Sequence, residues 1–532
     1  MPTLNTAPLI NVSPYSSLLH LIEETCARFN NKTAFSCFGL AVSFNDIEQY
    51  SRQFAAYLQQ YTDLTIGDRI AIQLPNITQF VIAAYGAIRA GLILVNTNPL
   101  YTQREMLHQF NDSGAKLLVT LSSHIPKLDY IINNTAIDTV ITTHPFDLIS
   151  PQTQVQCDFN HFHFMDTLKV GEKHLLQPVS VSSNHLAALQ YTGGTTGLSK
   201  GAMLSHGNLI ANAAQLSDRL ASRINEGKEI FIAPLPLYHI YAFMVNLILY
   251  FEKGACTVLI PDPKDTPNFI QTLKQYPFTG FAGLNTLFIG LCQQEHFQSL
   301  DFSQLKVTIS GGTALTQFAA DIWYNTTGCA VCEGYGLSET SPVISLNTPG
   351  FEKLGTIGQP LMNTLVCILD ENENEVIQGQ AGELAVSGPQ VMSGYWQQKS
   401  ETKHVMTKSG FFKTGDIAIA LKDGFHQIID RKKDVIIISG FNVYPNEVEN
   451  VLSLHDAVLE SAVIGISDEH SGEKVKAFIT LSALITPTAT LLSSLKQHCA
   501  NHLTPYKIPT LFEFVDSMPK SSVGKILRRN LK

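Results

Sequence analysis

The chain has 532 residues, of which 45% are hydrophobic and 15% charged, and a formal net charge of −9. This length exceeds one ordinary core and predicts two or more domains. The composition excludes a disordered chain, and the modest acidic charge argues against a nucleic-acid partner.

The first cationic side chain is Arg28, so the N-terminus lacks the basic segment of a signal peptide and a cytoplasmic protein is expected. Nine scattered cysteines, an odd count in a large chain, predict reduced thiols rather than a disulfide framework. The pattern from Leu18 to Phe29 predicts a helix. Ser43-Phe44-Asn45-Asp46 reads as a strand end feeding a helix cap. Arg69 to Leu74 reads as a strand, followed by a helix through Phe80 to Ala84. Leu117–Thr120 and Thr139–Thr142 read as further buried strands. Strands alternating with helices predict an α/β fold with parallel sheets covered on their faces.

After the apolar run Leu186 to Leu189 comes Thr192-Gly193-Gly194-Thr195-Thr196-Gly197-Leu198-Ser199-Lys200-Gly201. Glycine backbone can turn freely and approach a ligand, exposed N–H groups form an anion-binding concavity, and Lys200 adds charge. The spacing does not fit a Walker loop, because Lys200 is followed by Gly201. A phosphate loop and a plain Gly/Thr surface turn both remain open on these residues alone. Ile230 to Phe251 is uncharged and long enough to cross a membrane. Its Pro234, Pro236, His239 and Asn246 predict a strand, a turn and a buried helix instead. Cys329-x-x-Cys332 lacks the second pair or nearby histidines a zinc site needs.

Beyond about residue 350, short strands at Leu365–Asp370 and Gly382–Val386 predict a small β-barrel or antiparallel sheet. Asp430-Arg431-Lys432-Lys433-Asp434, between apolar segments, reads as a solvated turn or an interdomain hinge. Further segments look chemical. Ser310-Gly311-Gly312-Thr313 is a glycine turn after an apolar strand. Tyr335-Gly336-Leu337-Ser338-Glu339 carries an acid beyond another such turn. Phe412 to Asp416 is read as a strand ending in an acid, and Pro519 to Lys525 as a lysine-bearing loop.

In this order, the segments resemble the adenylate-forming acyl-CoA synthetases, the superfamily that includes nonribosomal-peptide adenylation domains and beetle luciferases. The resemblance covers nearly the whole chain. Leu189 to Gly197, Leu235 to Ile240, Gly440 to Glu449 and Lys525 to Arg529 carry it, with Val95 to Tyr101 near the N-terminus. Within the superfamily the chain is most similar to bacterial long-chain fatty-acid–CoA ligases. The resemblance implies a large N-terminal domain, residues 1–430, of two packed α/β sheet subdomains plus a small β-barrel. It also implies a small mobile α+β C-terminal domain, residues 431–532.

It further implies an ATP- and Mg2+-dependent ligase. A fatty acid attacks the α-phosphate to give acyl-AMP and pyrophosphate, and the thiol of coenzyme A then displaces AMP. Medium-chain or aryl acids, and a carrier-protein acceptor, are the neighbouring alternatives; a luciferase-like oxidoreductase and a non-catalytic sensor are more distant ones. By family position, Thr192, Gly193, Gly194, Thr196, Gly197 and Lys200 should cradle phosphates. Thr195 and Glu339 should flank the Mg2+. Gly311, Gly312 and Thr313 should border the adenine, with Tyr335 and its neighbour Gly336 beside the ring. Asp416 and Arg431 should hold the ribose.

Lys525 should assist adenylation, against the bland reading of a solvated terminal lysine. Lys433 falls at the family's hinge, and Gly440 should leave room for pantetheine. His239 is either a satisfied core histidine or a gate near the acyl carboxylate. The segment Phe278 to Phe288 resembles the helix lining the acyl tunnel, with Gly280, Ala282 and Gly283 leaving room for an alkyl chain or serving packing. A lipid-soluble substrate makes loose peripheral contact with the cytoplasmic face of a membrane plausible, and a homodimer is left open.

Overall fold

The computed structural model describes residues 13–150, 157, 159–192, 199–439, 441–468, 471–482, 485–521 and 525–531. The chain divides into two compact units, Met1–Leu365 with Ser387–His404, and Val366–Val386 with Val405–Lys532.

The first unit is built on two sheets. A seven-stranded sheet runs in the order His161–His163, Thr139–Thr143, Leu117–Leu121, Arg69–Gln73, Ile93–Asn96, Leu186–Thr192, Lys200–Ser205. Its pairs are parallel except the last, a hairpin. A nine-stranded sheet has a parallel centre of Val331–Gly336, Val307–Ser310, Gly280–Gly283, Ile230–Ala233, Cys256–Leu259 and Thr33–Cys37. Antiparallel strands close both of its edges.

Local chemistry sets one helix start as the sequence suggests. Ser43 ends a strand and caps the helix Phe44–Tyr61, its Oγ accepting the Asp46 N–H at 3.0 Å while Asp46 accepts the Ser43 N–H at 2.7 Å. This capping box satisfies two otherwise unpaired donors. The helix Thr78–Arg89 is buried on every face, which suits its run of apolar and small residues.

The Ile230 to Phe251 segment is a strand, a proline turn and a buried helix that includes the π-helical stretch Phe243–Leu249. Among the described residues no helix is long and apolar enough to cross a membrane.

One expectation is corrected. Gly280, Ala282 and Gly283 lie not on a tunnel helix but in the strand Gly280–Gly283, fully buried; the helix begins at Asn285. A Cβ on Gly280 would sit 2.4 Å from Phe231 Cδ2, and one on Gly283 2.5 Å from Phe288 Cε1. These glycines make room for the protein's own aromatics. Phe281, Phe288 and Phe297 surround fully buried Trp323, whose indole N–H donates to Thr308 Oγ1 at 3.0 Å. Burying each such ring contributes roughly 1.5–3 kcal/mol.

The second unit holds a four-stranded sheet, Leu365–Leu369, Gly382–Ser387, Phe412–Ala420 and His426–Arg431, in simple chain order. Among the described residues no pairing closes it into a barrel. A five-stranded sheet follows, its long hairpin Val458–Asp468 and Gly472–Leu481 packed against helices Pro445–Ser453 and Ala489–His502.

Candidate active site

The two strands that flank the expected phosphate loop pair antiparallel. Thr192 ends one strand, Lys200 begins the next, and the two are register partners. Gly193, Gly194, Thr195, Thr196 and Gly197 lie outside the described residues. Lys200 forms an ion pair with Glu401, and its Nζ lies 5.3 Å from the ring centroid of Tyr395. The Tyr395 hydroxyl donates to Glu339 Oε1 at 2.7 Å. Burial and the Glu339 charge raise the pKa of that phenol, so it stays a donor. Tyr395 is held there because residues 393–396 run along the hairpin: Met203 N–H donates to Gly394 O at 2.9 Å and Trp396 N–H to Gly201 O at 2.8 Å. Lys200 and Glu339 are thus gathered around one tyrosine, and Thr192 is paired with Lys200.

Glu339 is buried and sits in a short 3-10 turn, Ser338–Thr340, directly after the strand Val331–Gly336. That strand lies parallel to Val307–Ser310, so Tyr335 and the turn Gly311-Gly312-Thr313 emerge side by side at the strands' C-terminal ends. Ligands of open α/β sheets bind in crevices at that end. Gly312 has φ +86°, a conformation L side chains rarely adopt. Gly336 is required by crowding, because a Cβ there would lie 1.8 Å from Pro342 O.

His239 follows the proline turn. Its Nδ1 accepts the Tyr241 N–H at 3.3 Å, which puts the proton of the neutral ring on Nε2. Burial lowers its pKa to about 4, so it is neutral near pH 7. Gln190, on the strand Leu186–Thr192, donates to Tyr238 O at 3.1 Å. Tyr241 donates to Ile309 O at 3.1 Å. These bonds tie the His239 turn to both sheets' C-terminal edges.

In the second unit, Asp416 is not at a strand end. It lies in the middle of Phe412–Ala420, is 2% exposed, and pairs in register with Arg431. Arg431 Nε lies 2.7 Å from Asp416 Oδ1. Lys525 is close enough to feel both charges. Burial first, then Arg431, lower its pKa to about 8, with Asp416 opposing them. Lys433, on its surface turn, has a lowered pKa from partial burial of its side chain, opposed by Asp434 and reinforced by Arg431 and Arg529. A lysine whose charged form is disfavoured is poised to gain from an incoming anion. Arg528 fastens the tail that carries Lys525, with Nη2 2.7 Å from Glu449 Oε2 and Nη1 3.2 Å from Asp430 Oδ1. Gly440 lies outside the described residues.

Tyr395 and Glu401 are absent from the sequence-based site. The pairing of residues 393–396 with the hairpin brings Tyr395 to Lys200, and Glu401 follows on the helix Lys399–Val405. The acid–amine spacing of 201 residues carries no local signal.

The family model for AMP-binding enzymes matches residues 22–396, and that for the AMP-binding enzyme C-terminal domain matches residues 447–525. The long-chain-fatty-acid–CoA ligase of Escherichia coli O6:H1 is 42% identical over 98% of this chain and 95% of its own length. The protein of the same name from Bacillus subtilis is 37% identical over 97% of this chain and 94% of its own. The crystal structure of ATP-bound MatB from Rhodopseudomonas palustris superposes with a TM-score of 0.85 at 26% identity, covering 96% of this chain and 98% of that one.

Proposed function

We propose a function from one premise: this chain belongs to the AMP-binding enzyme family. It is an AMP-forming acid–CoA ligase that activates long-chain fatty acids. The observation that carries this is the 42% identity to a long-chain-fatty-acid–CoA ligase over 98% of the chain.

The chemistry follows from a simple need. A free carboxylate acylates poorly, and joining it to AMP turns its oxygen into a good leaving group. The protein must hold two anions together and neutralise charge growing on phosphate oxygens. In this reading Thr192 and Lys200, with Gly193, Gly194, Thr196 and Gly197, cradle the β- and γ-phosphates. Gly311, Gly312 and Thr313 border the adenine, which stacks on Tyr335 beside Gly336. Asp416 accepts hydrogen bonds from the ribose hydroxyls, with Arg431 adjacent.

Lys525 binds the acyl carboxylate and the α-phosphate oxygens as the pentacoordinate phosphorus forms. Pyrophosphate leaves with the electron pair of the broken P–O bond. In the second step the CoA sulfur attacks the acyl carbon and AMP departs. Lys433 is the pivot about which residues 431–532 turn between the steps, and Gly440 borders the pantetheine path. Neutral His239 positions the acid's carboxylate rather than exchanging its proton.

The residues fit Mg2+. Glu339 is a buried hard-oxygen donor whose Oε1 is oriented by Tyr395, and Mg2+ is commonly held by one or two carboxylates plus substrate phosphates. Thr195 would join Glu339 there. The ion would supply charge neutralisation on the phosphates.

A long-chain acid partitions into lipid, so the reading includes loose contact with the cytoplasmic face of a membrane. Flotation with anionic vesicles tests it; protein remaining wholly at the bottom of the gradient rejects it. The function itself is tested by incubating the protein with ATP, Mg2+, CoA and acids of graded length. AMP and pyrophosphate should appear, fastest with long chains. Release of ADP, or a preference for aryl acids, rejects the proposal.

A further inference from the structure

Glu333 lies two residues before Tyr335 on the strand Val331–Gly336. Residues two apart on a strand share a face, so the two side chains point the same way. Glu333 is 4% exposed. Its Oε1 accepts the Leu315 N–H at 3.0 Å, and its Oε2 is sealed from solvent and has no partner among the described residues. Its register partner on the next strand, Ser310, also has a buried Oγ without a partner among the described residues. Burial raises the pKa of Glu333 to about 8, so it is mainly the neutral acid near pH 7.

An acid in such a place costs stability, and an apolar residue would fill it at less cost. What Glu333 does there is grip the end of the Gly311–Leu315 turn. Asn285 grips the same turn from the other side, with Nδ2 donating to Ala314 O at 2.8 Å and Oδ1 accepting the Thr316 N–H at 3.1 Å. Three successive residues, Ala314, Leu315 and Thr316, are therefore held by side chains. The two glycines just upstream are flexible by nature, and ordering them on binding costs entropy. Anchoring the downstream end removes part of that cost before the ligand arrives.

We propose that Glu333 is a positioning residue for nucleotide binding, which holds the Gly311–Leu315 turn in the shape that receives the adenine without itself touching ATP. Oε2 is closed to solvent, so it does not open onto any ligand. The inference rests on reading that turn as the seat of the base. It requires an acceptor at Oε1, not a charge.

Glu333→Leu, Glu333→Gln and Tyr335→Ala in the full chain test it by pyrophosphate exchange, with KM measured separately for ATP and for the acid. Glu333→Leu should raise KM for ATP about tenfold, with kcat and the acid KM held within about threefold. Glu333→Gln keeps the acceptor and should bring KM for ATP back to within about threefold of the parent protein. Tyr335→Ala should raise KM for ATP on its own account. Equal harm from the Gln and Leu variants overturns the inference, as does a parallel rise in the acid KM in Glu333→Leu. An unchanged KM for ATP in Glu333→Leu beside a raised one in Tyr335→Ala overturns it while sparing the adenine reading. No change in either variant overturns both.

Discussion

Arg431 Nε lies 2.7 Å from Asp416 Oδ1, and the two residues stand opposite each other on neighbouring antiparallel strands. The strand register fixes this pair, so the carboxylate is presented in one orientation before any ligand arrives. Hydrogen bonds to a charged acceptor contribute about 1.5–3 kcal/mol each, and a ribose offers two hydroxyls to such a group. Asp416→Ala should therefore lower kcat/KM for ATP by about a hundredfold or more, while the KM for the fatty acid changes little. Steady-state kinetics with each substrate varied in turn checks this; an equal fall for both substrates contradicts the ribose assignment.

Lys525 gives a pH signature. Its pKa is depressed from the ordinary lysine value to about 8 by burial and by Arg431. It is charged below that pH and loses its charge above it. The adenylation kcat/KM should therefore fall as pH rises through about 8. Bound ATP favours the charged form, so the limb in kcat should lie at higher pH. Lys525→Arg, always charged, should lose the limb in kcat/KM even though its absolute rate is lower. A limb of unchanged midpoint in that variant assigns the titration elsewhere.

Tyr395 links the hairpin to Glu339. Tyr395→Phe removes the 2.7 Å hydrogen bond yet keeps the ring beneath Lys200. Without that bond the carboxylate is oriented less firmly, and the apparent affinity for Mg2+ in adenylation should weaken about three- to tenfold. A Mg2+ titration of the pyrophosphate-exchange rate measures it. An unchanged curve separates Tyr395 from metal binding.

Gly280 tests the core correction. In Gly280→Ala the new Cβ would lie 2.4 Å from a carbon of the Phe231 ring, which must move within a packed sheet. Overpacking of this kind costs about 1–3 kcal/mol. Urea or thermal unfolding should show that loss with the preferred acyl length unchanged. A shortened chain-length preference at parental stability would return Gly280 to the substrate tunnel.

The strongly periodic elements were legible from sequence alone. The strands at Arg69–Gln73, Leu117–Leu121 and Thr139–Thr143 carry short runs of apolar and β-branched residues, and Ser43 with Asp46 spells out its own helix start. Two placements failed because glycines blur where a strand begins and ends. Asp416 looked like a strand end because Gly415 precedes it, yet the strand continues to Ala420. Gly280 to Gly283 resembled part of a helix, with room for an alkyl chain or close packing as its two uses; they form a strand, and Phe231 on the neighbouring strand crowds Gly280.

The missing site residues are long-range partners. Tyr395 and Glu339 are 56 positions apart, and Glu333 meets Leu315 across 18. No local pattern encodes such meetings. By contrast Glu339, Asp416 and Lys525 stood in recognisable segments.

The most direct test of the two-step account is Lys525→Ala, assayed separately in its two halves. Pyrophosphate exchange reports adenylation, and thioester formation from supplied acyl-AMP and CoA reports transfer. Loss of the charge that stabilises the first transition state should slow adenylation by about a hundred- to a thousandfold and leave transfer within about threefold of the parent protein. Equal loss in both halves contradicts the account.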